Sequence, residues 1–235
     1  MLRATLAAHA ALFGLYLVSS DAAFAATKPS FNCAKATSAA EKAICKDDGM
    51  AASDAAIAVE YKKVQSALDP TAAAALAQDQ RWFVQVRDLI AEASDDVPPP
   101  DRGEELKDRL KLLRAINTHP AVDFVGSWHN VAGGFDITPG RNGKLKIAGN
   151  AAQPINGNWV CDFVGTAKAS GGILIVKEEH DEGDSQASSL RLTREGAALK
   201  VELVHAPSAP DATPPYCGYN GSFDGAYFSV PTNYR

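Results

Sequence analysis

The sequence predicts an α+β protein made of two domains. A small all-α helical bundle (residues 27–118) is followed by an antiparallel β-barrel or sandwich (residues 122–235). Three observations carry this expectation. Apolar residues recur at helical spacing up to His119-Pro120 and at a period of two beyond it. Glycine-bearing turn pairs multiply in the second half only. The 4 cysteines form an even set, divided equally between the halves.

The first 25 residues are read as an address rather than as structure. Arg3 gives a positive start, Leu6 to Val18 is apolar except for His9, and Ala23-Phe24-Ala25 offers the small residues a signal peptidase reads. The apolar run is well short of the roughly 20 residues a membrane span needs. A signal peptide over residues 1–25 is therefore expected, with cleavage after Ala25. No later segment is long and apolar enough to span, and Pro29-Ser30-Phe31-Asn32 before Cys33 does not make a lipoprotein signal. The mature chain is expected to be soluble and exported, periplasmic or extracellular, with no membrane span.

In an oxidising compartment Cys33, Cys45, Cys161 and Cys217 are expected to form disulfides. No two lie in a C-x-x-C arrangement, which gives a redox site or zinc ribbon little support. Three pairings are open, and Cys33–Cys45 with Cys161–Cys217 is the expected one, because each pair then falls within one compositional half. The short first loop would stabilise by roughly 3 kcal/mol on a chain-entropy argument.

Each helix has its own signals. Ser38 and Glu41 make an S-x-x-E capping box for a short helix ending near Cys45. Asp54 is expected to precede a second helix with the stripe Ile57, Tyr61, Val64 and Leu68. Asp69-Pro70 breaks it and starts a third, with Asp69 as N-cap and Pro70 in the first turn. That helix carries Leu76, Phe83, Val86 and Ile90 on one side, until the prolines of Ser94–Pro100 end it. Leu106, Leu110, Leu113 and Ile116 mark a fourth.

Downstream, short β-prone runs are expected at Val125–Val131, Phe135–Thr138, Lys144–Ala148, Asn158–Phe163, Ile173–Glu178, Ser189–Thr193, Leu199–Val204 and Ala226–Val230. Turns fall at Pro139-Gly140, Asn142-Gly143, Asn156-Gly157, Gly171-Gly172 and Glu195-Gly196, with a longer loop at Ala206–Pro215. About eight antiparallel strands suit a barrel or sandwich. Trp128 in Gly126-Ser127-Trp128 is expected in the core; the tryptophan that plugs a barrel end in lipocalin-like folds is the alternative.

Charge excludes one class of function. The formal balance is −5, and the halves carry it evenly: 13 basic and 15 acidic residues over 26–118, 9 and 12 over 119–235. Nucleic-acid binding needs clustered Lys and Arg, so no nucleic-acid partner is expected. No metal or cofactor is expected either. His119, His129, His180 and His205 share no local zinc spacing. The acidic run Glu178–Asp184 lacks the ligand order of a calcium loop and reads as a solvated hairpin tip. Gly140–Gly143 lacks the ending of a phosphate loop, and no G-x-S-x-G elbow occurs. Catalytic, cofactor-binding and metal residues are all expected to be none. Asn220-Gly221-Ser222 fits a glycosylation sequon.

The helical half holds the most specific pattern. Phe31-Asn32-Cys33 and Ala36 are followed by Glu41, Ile44 and Cys45, giving F-x-C-x-x-A and then E-x-x-I-C. Asp54 and Tyr61 make D-x(6)-Y; Gln80-Arg81 and Arg87-Asp88 make most of Q-R-x-W-x-x-x-R-D. Across roughly residues 30–116 this resembles the LprI-type lysozyme-inhibitor N-terminal domain family. Phe83 stands where that family often has Trp, with Trp82 shifted by one, and Leu89 and Ile90 stand where many members carry a further cysteine. The resemblance implies an exported envelope protein that binds lysozyme or another cell-wall hydrolase without catalysis. The alternative is a periplasmic small-ligand or protein interaction module with no inhibitory activity. Phe223-Asp224-Gly225-Ala226-Tyr227 faintly echoes the Ser-Gly-x-x-Tyr loop of barrel-type lysozyme inhibitors, and reads more simply as a turn into the last strand.

Overall fold

The structure, a computed structural model, describes residues 28–92, 103–179, 188–205 and 213–234. The expected signal segment, the expected break at Ser94–Pro100, the expected tip at His180–Asp184 and part of the expected loop Ala206–Pro215 lie outside the described residues.

The helical part comes first. A 3-10 turn (Cys33–Lys35) leads into α1 (Ala39–Ile44), and the Cys33–Cys45 disulfide joins the turn to the end of that helix. The capping box forms as its residue types dictate: Ser38 Oγ accepts from the Glu41 N–H, and Glu41 accepts from the Ser38 and Thr37 N–H groups. Those backbone donors hold the Glu41 carboxyl below its ordinary range.

α2 (Asp48–Ala67) starts earlier than the sequence suggested. Asp47, not Asp54, caps it by accepting from the Met50 N–H at 2.8 Å. Asp54 lies inside the helix and is buried. α3 (Pro70–Glu92) begins at the Asp69-Pro70 break; Asp69 Oδ1 accepts from the Thr71 and Ala72 N–H groups, both at 3.1 Å. Leu76, Phe83, Val86 and Ile90 are buried along it, as the periodicity requires. α4 (Glu104–Ala115) buries Leu106, Leu112 and Leu113. Among the described residues, no helix is long and apolar enough to cross a membrane.

Eight strands follow: β1 (Gly126–His129), β2 (Gly133–Pro139), β3 (Leu145–Ala152), β4 (Val160–Ala167), β5 (Ile173–Lys177), β6 (Ser189–Glu195), β7 (Ala198–Val204) and β8 (Gly225–Val230). They form one antiparallel sheet in the order β4-β3-β2-β1-β8-β7-β6-β5. A single bridge, Gly165 to Glu178, and the Glu179 N–H donated to the Val164 carbonyl bring β4 back to β5. The result is a nearly closed up-and-down barrel.

Alternation sends one side chain set inward. Phe135, Phe163, Phe223 and Tyr227 are each 0–1% exposed and pack ring against ring, with Phe135 4.9 Å from Phe223 and 5.0 Å from Tyr227. Gly149, opposite Phe135 in the register, makes that possible: a Cβ there would sit 2.4 Å from the ring. Tyr227 donates its hydroxyl to the Phe223 carbonyl, and burial pushes its pKa well above the tyrosine range. The Cys161–Cys217 disulfide ties β4 to the segment that leads toward β8.

Trp128 is buried within the barrel core and donates its indole N–H to the Phe124 carbonyl at 2.9 Å. The Arg194 guanidinium lies 4.4 Å from that ring and donates to the carbonyls of Ala121, Asp123 and Gly196. Burial lowers the Arg194 pKa. The tryptophan is thus a core residue with a cationic cover.

The helices pack on the outside of β7 and β8. Ala198, Phe228 and Val230 join Leu76, Phe83 and Leu113 in one buried cluster. Asp69 reinforces the contact: its Oδ2 accepts from the Ala197 N–H at 2.7 Å, across 128 residues of sequence. Only glycine suits the neighbouring position 196, with φ of +61° and a hypothetical Cβ 2.2 Å from the Asp69 carboxylate.

Candidate functional site

Three residues of the pattern in the helical half, Asp54, Arg87 and Asp88, are brought together in one network, whereas Arg81 is exposed. Arg87 on α3 faces Asp54 on α2 at 3.6 Å and holds Asp88 Oδ1 through Nε and Nη2 at 3.0 and 2.9 Å. Asp54 also accepts the Ser30 N–H at 2.7 Å, and Ser38 Oγ donates to Asp88. One partly buried network therefore pins the N-terminal segment and α1 to the two long helices.

A second network lies about two helical turns back along α3. Arg109 on α4, 2% exposed, pairs through Nη1 with Asp79 Oδ2 at 2.5 Å. Its Nε and Nη2 donate to Gln80 Oε1 at 2.9 and 2.7 Å, and its guanidinium sits 5.3 Å from the Phe83 ring. Phe83, in the slot where the resembling family often has Trp, is thereby committed to the core. Trp82, one position before it, is half-buried.

Among the described residues, two cavities open beside this second network, between the helices and the barrel. The first, of about 250 Å³, has apolar walls from Phe83, Val86, Ile90 and Val131, with Arg109 and Tyr234 adding polar atoms. Burial raises the Tyr234 hydroxyl pKa, and the Lys111 ammonium lies 4.9 Å from its ring. The second, of about 260 Å³, is lined by Ala75, Gln78, Asp79, Trp82, Asp224 and Ala226, among others. Asn130 lines both, held by the Ala132 and Gly133 N–H groups donating to its Oδ1 at 2.9 and 3.1 Å. The junction thus offers apolar walls, an aromatic face and fixed carboxylates.

The other sequence candidates lie elsewhere. Cys33, Cys45, Cys161 and Cys217 are all in disulfides. His119 and His205 are exposed on separate segments, and the His129 ring packs 4.8 Å from Tyr234. Among the described residues, no group of three or more His, Cys, Asp or Glu could hold a metal ion. Phe223 and Tyr227 of the faint loop echo point into the barrel core, while Asp224 accepts from the Leu203 N–H and from Ser222 Oγ. Asn220 of the sequon is exposed. Sequence reasoning missed the junction because its parts come from α3, the β1–β2 loop and β8; the unplaced Trp82 was the one available signal.

No family model, curated protein or solved structure matches the chain.

Proposed function

We propose that this is an exported envelope protein that acts by non-catalytic binding of a lysozyme-like hydrolase. In this reading residues 27–118 are an LprI-like helical domain and residues 122–235 a β domain, and the mature chain works in the periplasm or outside the cell. The observation that carries it is how each interior is filled. Aromatic rings occupy the barrel core, and the buried carboxylates Asp54 and Asp79 are committed to guanidinium groups. Binding is then left to the outer surface, where the helix–barrel junction offers two cavities. Two disulfides and an acidic balance of −5 favour an exported partner for strongly cationic hydrolases.

The burial of Tyr227 favours a second reading, an interaction module that binds without inhibiting, because the loop echo presents no aromatic side chain outward. One titration separates the two. Mature protein with intact disulfides is added to cell-wall lysis assays with several lysozyme types, and complex formation is followed by calorimetry. Dose-dependent loss of lysis with a saturable complex is expected. A complex without loss of lysis supports the second reading; neither complex nor inhibition with any lysozyme overturns the proposal. The whole mature chain is the right reagent, because a helical fragment would lose the apolar cover that β7 and β8 provide.

A further inference from the structure

The cavity between α3 and the start of β8 has a composition that the packing of the fold does not demand. Its walls include Ala75 and Ala226, its aromatic surface is Trp82, and its polar atoms come from Gln78, Asp79, Asn130 and Asp224. None of its lining residues is basic. Asp79 is fixed there with its side chain 5% exposed: Oδ2 is taken by Arg109, and the carboxylate edges the cavity. Arg109 offsets that charge, so exposed Asp224 supplies the net negative charge. Asp224 is itself anchored by the Leu203 N–H and by Ser222. Gln78 is exposed at the rim.

From this arrangement we infer that the cavity is a receptor for one lysine or arginine side chain of a cationic protein partner. Such a side chain has an apolar stem and a charged head, which match alanine walls ending in an indole and a carboxylate. About 260 Å³ accommodates one side chain rather than a helix or an extended peptide. The inference deepens the proposed function and rests on it for the partner's identity, although the site itself is testable alone. Trp82 and Asp224 are the contact residues; Asp79 is a positioning residue, held by Arg109.

The test uses the mature chain and simple probes. The indole N–H signals of Trp82, Trp128 and Trp159 are followed by NMR, with Trp82→Phe identifying its own signal by loss. Nα-acetyl-lysine amide should shift the Trp82 signal saturably in the millimolar range, and its neutral isostere Nα-acetyl-norleucine amide should not. Asp224→Asn should weaken the response about threefold, and added salt should weaken it further. Gln78→Lys, at an exposed helical position that lysine suits, should abolish the response by placing a tethered cation at the mouth. An equal response to norleucine amide, a response only to the neutral trisaccharide of N-acetylglucosamine, or no response to any probe would overturn the inference. Complexes with lysozymes, measured on the same variants, separate the two proposals. A Trp82 response without any lysozyme complex removes the functional reading and keeps the site. A lysozyme complex unaffected by Gln78→Lys and Asp224→Asn keeps the function and removes this contact.

Discussion

The helical part and the barrel bury very different material. At the heart of the helices are two arginines with their carboxylates, Arg87 with Asp54 and Arg109 with Asp79. At the heart of the barrel are aromatic rings, with Tyr227 and Trp128 donating to backbone carbonyls. The contrast follows from geometry. Small alanine-rich helices leave few large apolar side chains to specify how they cross, so directional charge-assisted bonds fix the register. A strand pair already has its register fixed by backbone hydrogen bonds, and bulky rings then fill the space inside. Burial of charge is weak evidence of added stability, but removal of one partner is costly.

The sharpest way to break the comparison is a pair of truncations. Arg109→Ala leaves Asp79 buried without its partner and should cost about 3–5 kcal/mol in denaturant unfolding. Combining Arg109→Met with Asp79→Leu should recover most of that loss. Phe135→Ala should cost a similar 3–5 kcal/mol through a cavity, yet no second substitution of a charge will restore it. If the double charge variant is as unstable as the single one, the ion pair contributes more than register. Next in size, replacing Cys33 and Cys45 with Ser should cost about 3 kcal/mol, with the loss confined to protein kept oxidised in the comparison.

The smallest effect concerns the tie between the two parts. The Asp69 carboxylate accepts three backbone N–H bonds, from Thr71 and Ala72 at the α3 N-terminus and from Ala197, and its pKa is lowered mainly by the Ala72 and Ala197 N–H groups. A carboxyl whose folded pKa lies below its unfolded value contributes stability that is present above the unfolded value, near pH 4, and lost as pH falls through the folded one. Glu41 follows the same sign. Asp69→Ala should therefore cost about 1 kcal/mol at neutral pH and flatten the acid limb of a stability–pH curve below about pH 4. An unchanged acid limb would show that the contact carries no linkage.

Much of the fold was legible because each element announces itself locally. Every expected strand lies within or beside an observed one, and Asp69-Pro70 and Ser38-Glu41 perform the caps their chemistry allows. The start of α2 was misjudged for a physical reason. Asp54 before an apolar stripe looks like an N-cap, but the helix runs back through Gly49 to Asp47, and Asp54 serves Arg87 instead. Of the junction, only the displaced Trp82 was legible. Asp79 meets Arg109 thirty residues away, and Asp69 meets Ala197 at a separation of 128. Local pattern carries no record of which distant backbone N–H a carboxylate will find.

The strand pair β7–β8 has two owners. Tyr227 points into the barrel while its neighbour Phe228 points into the helices, so one strand pair finishes both interiors. Translation delivers the helices first and β8 last. The apolar side chains of α3 must therefore wait for residues 225–230 before their cover exists. A nascent chain halted anywhere before that strand holds an open helical face and an open barrel together, a form suited to holding by a chaperone rather than to stable folding.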